Sequence, residues 1–129
     1  MNESSDNNNI NSREVSLILD DLKENGKLTG VMLVNRNGEK IDEKIEEDID
    51  SKILGSMCAS VLESAIGLGE TIGSQRVVKI IAELEENSLI IVEIKEILSF
   101  LVLIVNKHSD VTFFLNLLDN YIQKLISFI

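Results

Sequence analysis

The stretch DSKILGSMCASVLESAIGLGETIG at residues 50–73 constrains this chain more than any other. Apolar residues recur at Ile53, Met57, Val61, Ala65, Leu68 and Ile72, mostly three or four apart, which is the spacing of one helical stripe. A second set, Leu54, Cys58, Leu62 and Ile66, lies about a quarter-turn round the same cylinder. Between Lys52 and Glu70 the only charge is Glu63, and the remaining positions are small: Gly55, Ser56, Ala59, Ser60, Ser64 and Gly67. A helix covering one surface has a polar outer face, and this one has almost none. It is expected to be buried twice, once on its own sheet and once against something else. Small side chains let another backbone approach closely, so a second copy of the same helix is the natural partner.

That helix needs a sheet, and the flanking sequence supplies one. Residues 12–24 read as a first helix, capped by Asn11 or Ser12, striped by Val15, Ile18, Leu19 and Leu22, and stopped by Asn25-Gly26. Residues 1–11 are Asn, Ser and acid, unable to bury a core, and are expected to be a disordered polar tail ahead of a single domain at residues 12–129. The run GVMLVN at residues 30–35, the turn signal Asn37-Gly38 and a charged segment at residues 39–45 predict a hairpin. Its second strand carries the charges expected of an exposed sheet edge; an acidic docking surface is the alternative reading of the same residues.

After the central helix, Gly73-Ser74 breaks the chain and residues 76–85 predict a third strand. Glu86-Asn87-Ser88 turns it into a fourth at residues 89–94, and Lys95-Glu96 into a fifth at residues 97–106. The last two strands, LIIVEI and ILSFLVLIV, are apolar on both faces, so the sheet is expected to be covered on both sides. Ser109 or Asp110 then caps a last helix at residues 111–129, with Phe114, Leu117, Leu118, Tyr121, Ile122, Leu125 and Ile126 at helical spacing. The predicted order is α-β-β-α-β-β-β-α, an α+β fold in three α/β/α layers. A five-stranded antiparallel sheet carries the central helix on one face and the terminal helices on the other.

Composition narrows the function. The formal net charge of −10 argues against nucleic acid, whose phosphates are bound by clustered Lys and Arg, and disfavours anionic membrane surfaces. Neither of the two apolar stretches, residues 53–69 and 97–105, reaches the roughly 20 apolar residues of a membrane span, so no membrane insertion is expected. The polar start shows no signal peptide and the lone Cys58 offers no disulfide, which together predict a reducing, cytoplasmic location. His108 is the only histidine, so neither a catalytic triad nor a His/Cys metal site can be assembled. His108 in its polar turn reads as a surface residue rather than a ligand, and Cys58 as a packing residue rather than a nucleophile. The glycines at Gly67, Gly69 and Gly73 end a helix instead of following a strand, and lack the G-K-[ST] of a phosphate loop. The chain is expected to be no enzyme, with no catalytic residues, no cofactor and no metal.

The ordered set of landmarks resembles the Roadblock/dynein-light-chain family, a relative of the longin domains. The matching pieces are the G-V-x-x-V-x-x-x-G hairpin at residues 30–38 and the small-residue helix at residues 51–72. The hairpin LEENSLIIVEI at residues 84–94, the apolar strand at residues 98–105 and the turn N-K-H-S-D match as well. The Lys95-Glu96 connection looks shorter than in many members. The resemblance implies homodimers or heterodimers joined through the central helix and third strand. It also implies a platform for, or activator of, a small Ras-like GTPase, with a purely structural scaffold subunit as the alternative. Here the dimer interface would comprise Leu54, Met57, Cys58, Ala59, Val61, Leu62 and Ala65 of the helix. Val77, Lys79 and Ile81 of the third strand would complete it. Arg36, in the first hairpin turn, is a possible partner contact, since an arginine there could reach across an interface.

Overall fold

A computed structural model describes the chain except residues 1, 47 and 108–110; side chains are described for residues 11–46, 48–107 and 115–129. The elements are α1 (Asn2–Gly26), β1 (Gly30–Asn35), β2 (Lys40–Lys44), α2 (Ser51–Thr71), β3 (Ile80–Glu83), β4 (Asn87–Ile94), β5 (Ser99–Asn106) and α3 (Val111–Phe128). The predicted order of elements is the observed one. His108 and the proposed caps Ser109 and Asp110 lie outside the described residues.

Helix α1 starts ten residues ahead of the expected Ser12, and its backbone continues through the polar segment. Among its described side chains Val15, Ile18, Leu19 and Leu22 are buried, the stripe read from spacing. The helix ends at Gly26, but the left-handed residue that closes it is Lys27, with φ 51°. The Lys27 N–H donates to Glu24 O and the Leu28 N–H to Lys23 O, at 3.2 and 2.9 Å, which satisfies the terminal carbonyls in a Schellman arrangement. Among the described side chains of α1 the first buried one is Val15, and residues 1–11 are almost wholly polar, so deleting them is expected to leave the melting temperature nearly unchanged. A drop of several degrees in a thermal scan would show that the segment packs.

The sheet runs β2-β1-β5-β4-β3 and every pairing is antiparallel. β5, between β1 and β4, is the most apolar strand and is buried along its whole length up to Val105. Alternate residues feed two separate cores. Val31, Leu33, Ile90, Val92, Leu101 and Leu103 meet α1 and α3 on one face. Met32, Val34, Ile91, Phe100 and Val102 meet Cys58 and Leu62 of α2 on the other. The three layers are therefore real, and the two faces are covered by different helices.

Three boundaries differ from expectation, each for a local reason. β3 pairs over four residues only. Gly73 and Ser74, both at positive φ, turn the chain back so that the Gln75 N–H donates to Gly69 O at 2.9 Å. Residues 76–79 then cross from the helix to the sheet before pairing begins. Between β4 and β5, Ile97 and Leu98 belong to the connection and not to the strand. Lys95–Ile97 forms one 3-10 turn, and Leu98 reverses the chain at φ 51°. β4 starts at Asn87, inside the expected turn. Within the first hairpin, the β1–β2 pairing shifts between Leu33 and Val34, a bulge that leaves Ile41 unpaired at the charged edge.

Candidate interaction face

Helix α2 is nucleated by Asp50, whose Oδ1 accepts the Ile53 N–H at 3.1 Å. The second stripe of the sequence lies on the sheet: Cys58 and Leu62 are buried, with Leu54 and Ile66 half-buried beside them. The first stripe is left open. Ile53, Met57, Val61, Leu68 and Ile72 are between 46% and 67% exposed, and they occupy one side of the helix. Single exposed apolar side chains are ordinary, but a row of five along one helix face marks an interaction surface.

Not every expected interface residue lies on that surface. Cys58 and Leu62 turn inward, with 3% and 1% of their surface exposed, so they belong to the protein's own core. Leu54 and Ala59 are half-buried against the same core, as is Val77. Met57 and Val61 are open as expected, Ala65 is half-buried, and Lys79 and Ile81 are exposed at β3. Ile53, Leu68 and Ile72 belong to the open face although the expected interface omitted them. Their spacing with Met57 and Val61 was the signal. Gly55 also serves a different neighbour. Its backbone meets the β1–β2 turn, where a Cβ would lie 3.3 Å from Gly38 O, and Gly38 itself has φ +93°. Part of the small-residue stripe thus admits the protein's own hairpin, while Gly67 faces open space.

The two sheet edges differ. β2 carries Lys40, Asp42, Glu43 and Lys44, with Lys40 bonded to Glu43 and Glu43 accepting the Ser51 hydroxyl at 2.8 Å. The hydrogen bond from Lys40 holds the Glu43 carboxyl below the usual carboxylate range. β3, at the other edge, presents Ile81 and Ala82 as exposed residues, with exposed Val78 and Leu84 at its ends. An exposed edge strand so lightly charged is a template for another strand.

Arg36 is already engaged. Its Nη1 donates to Glu93 Oε2 at 2.7 Å, and its Nη2 lies 3.7 Å from Glu63 on α2. It ties the hairpin turn to β4 and α2, and one-third of its side chain remains exposed. Burial pushes the Cys58 thiol pKa up, so the thiol stays protonated at neutral pH and under cover. Labelling of Cys58 by a disulfide reagent at pH 7 is expected to proceed only as fast as the fold opens; reaction at the rate of a free cysteine would contradict that burial.

Among the described residues, no group of His, Cys, Asp and Glu is placed to hold a metal. α2 is the one described helix long and apolar enough, by length and composition, to cross a membrane. It carries Glu63, and its inner side is seated on the sheet.

Solved structures share this architecture. Myxococcus xanthus MglB superposes with a TM-score of 0.84 at 20% identity, over 90% of this chain and 87% of its own. The gliding protein MglB of Thermus thermophilus gives 0.80 at 14% identity, over 92% and 90%. An MglB with a tetrameric arrangement gives 0.78 at 17% identity, over 90% and 87%. At these identities the likeness is one of fold. No curated protein matches the chain in sequence. The profile of the Roadblock/LC7 domain matches residues 14–105, from within α1 to the end of the central strand, and the chain belongs to the Roadblock/LC7 family.

Proposed function

We propose that this chain is a non-enzymatic, dimeric Roadblock module that binds and regulates a small Ras-like GTPase in the cytoplasm. The observation that carries the reading is the open apolar row on α2 together with the unprotected β3 edge. Both would be covered at once by a two-fold axis that sets α2 against its own copy and β3 against its own copy, in an isologous interface. A related Roadblock chain could take the place of the second copy. The tetrameric arrangement of the MglB structure supports self-association as the natural use of such a face. GTPase regulation is what the Roadblock family and the MglB-like fold suggest for the assembled dimer. With Arg36 held by Glu93, regulation would proceed by reshaping the partner's switch segments rather than by inserting an arginine.

The test is a pull-down of a Ras-like GTPase, loaded with GTP or with GDP, on the purified chain, with hydrolysis followed in the presence and absence of the chain. Nucleotide-dependent capture supports the reading, and the chain alone should bind no GTP by calorimetry. Capture that ignores the nucleotide and leaves hydrolysis unchanged would favour the alternative, a scaffold subunit that only holds other proteins together.

A further inference from the structure

The end of α2 carries a second feature, apart from the open apolar row. A cavity of about 270 Å³ is bounded by Ile66 and Glu70 of α2, by the loop and strand approach at Ser74–Val77, and by Arg36, Glu93 and Lys95. Ile66 and Glu70 lie well round the helix from the open stripe, at about 100° per residue, so a partner on that stripe leaves the cavity accessible. The chain has three arginines, and two of them, Arg36 and Arg76, are here.

Glu93 is the unexpected residue. It continues the row Leu89, Ile91 on the α2 face of β4, where an apolar side chain would pack, and its side chain is only 7% exposed. A buried carboxylate is costly unless paired. Arg36 pairs one oxygen, Oε2; the other, Oε1, has no protein partner among the described residues and is not sealed from solvent. Around it the side chains of Arg76 and Lys95 form no ion pair or hydrogen bond with a described residue, and neither does Glu70.

The backbone at this end of the fold is held in unusual conformations. Ser74 has φ 55° next to Gly73 at φ 101°, and Leu98, whose carbonyl accepts the Arg36 N–H at 3.0 Å, has φ 51°. The loop folds so tightly over the helix end that a Cβ at Gly69 would lie 2.2 Å from Gln75 O. Left-handed non-glycine residues persist where the surroundings hold them, and they gather at ligand sites.

The charges decide what such a cavity would take. Two cations and two carboxylates without a further partner among the described residues line the cavity together, and the carboxyl end of α2 adds a partial negative charge. A bare anion would meet Glu70 and Glu93; a bare cation would meet Arg76 and Lys95. A molecule that carries both charges satisfies both sets. We infer that this cavity is a binding site for a small zwitterion, an α-amino acid with a short aliphatic side chain. Its carboxylate is taken by Arg76 and Lys95, its ammonium donates to Glu93 Oε1 and Glu70, and its side chain lies on Ile66 and Val77. The volume lies just below the roughly 300–1,000 Å³ of drug-sized ligand cavities, as suits a molecule this small.

The test is titration of the full chain with L-valine by calorimetry and by amide chemical shifts, with acetate, inorganic phosphate and methylammonium as half-ligands. Saturable one-to-one binding below about 1 mM, with every half-ligand at least about tenfold weaker, is expected. The double variant Arg76→Ala, Lys95→Ala alters only exposed side chains and should weaken binding at least about tenfold at unchanged melting temperature. Glu93→Gln, which keeps the shape and removes the charge, should weaken it similarly. No saturation with L-valine, phosphate or methylammonium binding as tightly as the amino acid, or a double variant that binds as the parent does would each overturn the assignment. None of these outcomes bears on dimerisation or GTPase capture, so the two readings stand or fall separately.

Discussion

Removing residues 111–129 should leave no soluble protein. Helix α3 places Leu118, Tyr121 and Leu125 in the core against α1 and the sheet, with 0–6% of their surface exposed. At roughly 1.5–3 kcal/mol for each fully buried large side chain, these three residues contribute about 5–9 kcal/mol. The apolar sheet residues that α3 covers would be wetted as well. A domain of this size is stable by only about 5–15 kcal/mol, so the loss is comparable to the whole. α1 cannot compensate, because it is anchored on α3: Asn25 Nδ2 donates to the Tyr121 hydroxyl at 2.6 Å, and that hydroxyl donates to Asp21 at 3.2 Å. Expression of the shortened chain should give insoluble material. A soluble product with native-like amide dispersion would mean that α3 is dispensable to this core. Leu125→Ala is the graded version, expected to cost about 2–5 kcal/mol and still fold.

The contrast between the two helical layers also shows what could be read from residues alone. Periodicity located both stripes of α2, because a 3.6-residue repeat is visible without coordinates. It could not say which stripe rotates onto the sheet, and that is why Cys58 and Leu62 entered the expected interface while Ile53, Leu68 and Ile72 did not. β1 was legible to the residue, since it is a continuous apolar run ended by a turn signal. The starts of β3 and β5 were not. They depend on Ser74 and Leu98 holding left-handed conformations that side chains of those types rarely adopt. The Arg36–Glu93 pair joins residues 57 apart, and the Gly38–Gly55 contact joins a turn to a helix. Neither has a local signature, and the cavity beside Glu93 follows only once the topology has brought β4, α2 and the first hairpin together.

Val61→Arg should convert the proposed dimer into a folded monomer. Ala59 looks like the natural position from its size, but it is half-buried against the first hairpin, where a Cβ on Gly38 would lie 3.6 Å from it. An arginine there would disturb the protein's own turn and confuse folding with association. Val61 sits in the middle of the open row, 46% exposed, so the monomer can carry an arginine without repacking. In a two-fold pair of α2 helices each arginine would be buried opposite an apolar face, or opposite its own copy, and Glu63, two residues on, lies about 200° round the helix, toward Arg36. An uncompensated buried charge costs roughly 3–5 kcal/mol, which at about 1.4 kcal/mol per decade weakens the dimer by about a hundred- to several-thousandfold. Light scattering at ~50 µM should then report a dimer for the parent chain and a monomer for the variant, with circular dichroism and melting temperature nearly alike. A monomeric parent would remove the dimer from the proposal. A variant that remains dimeric would move the contact away from α2, to the β3 edge alone.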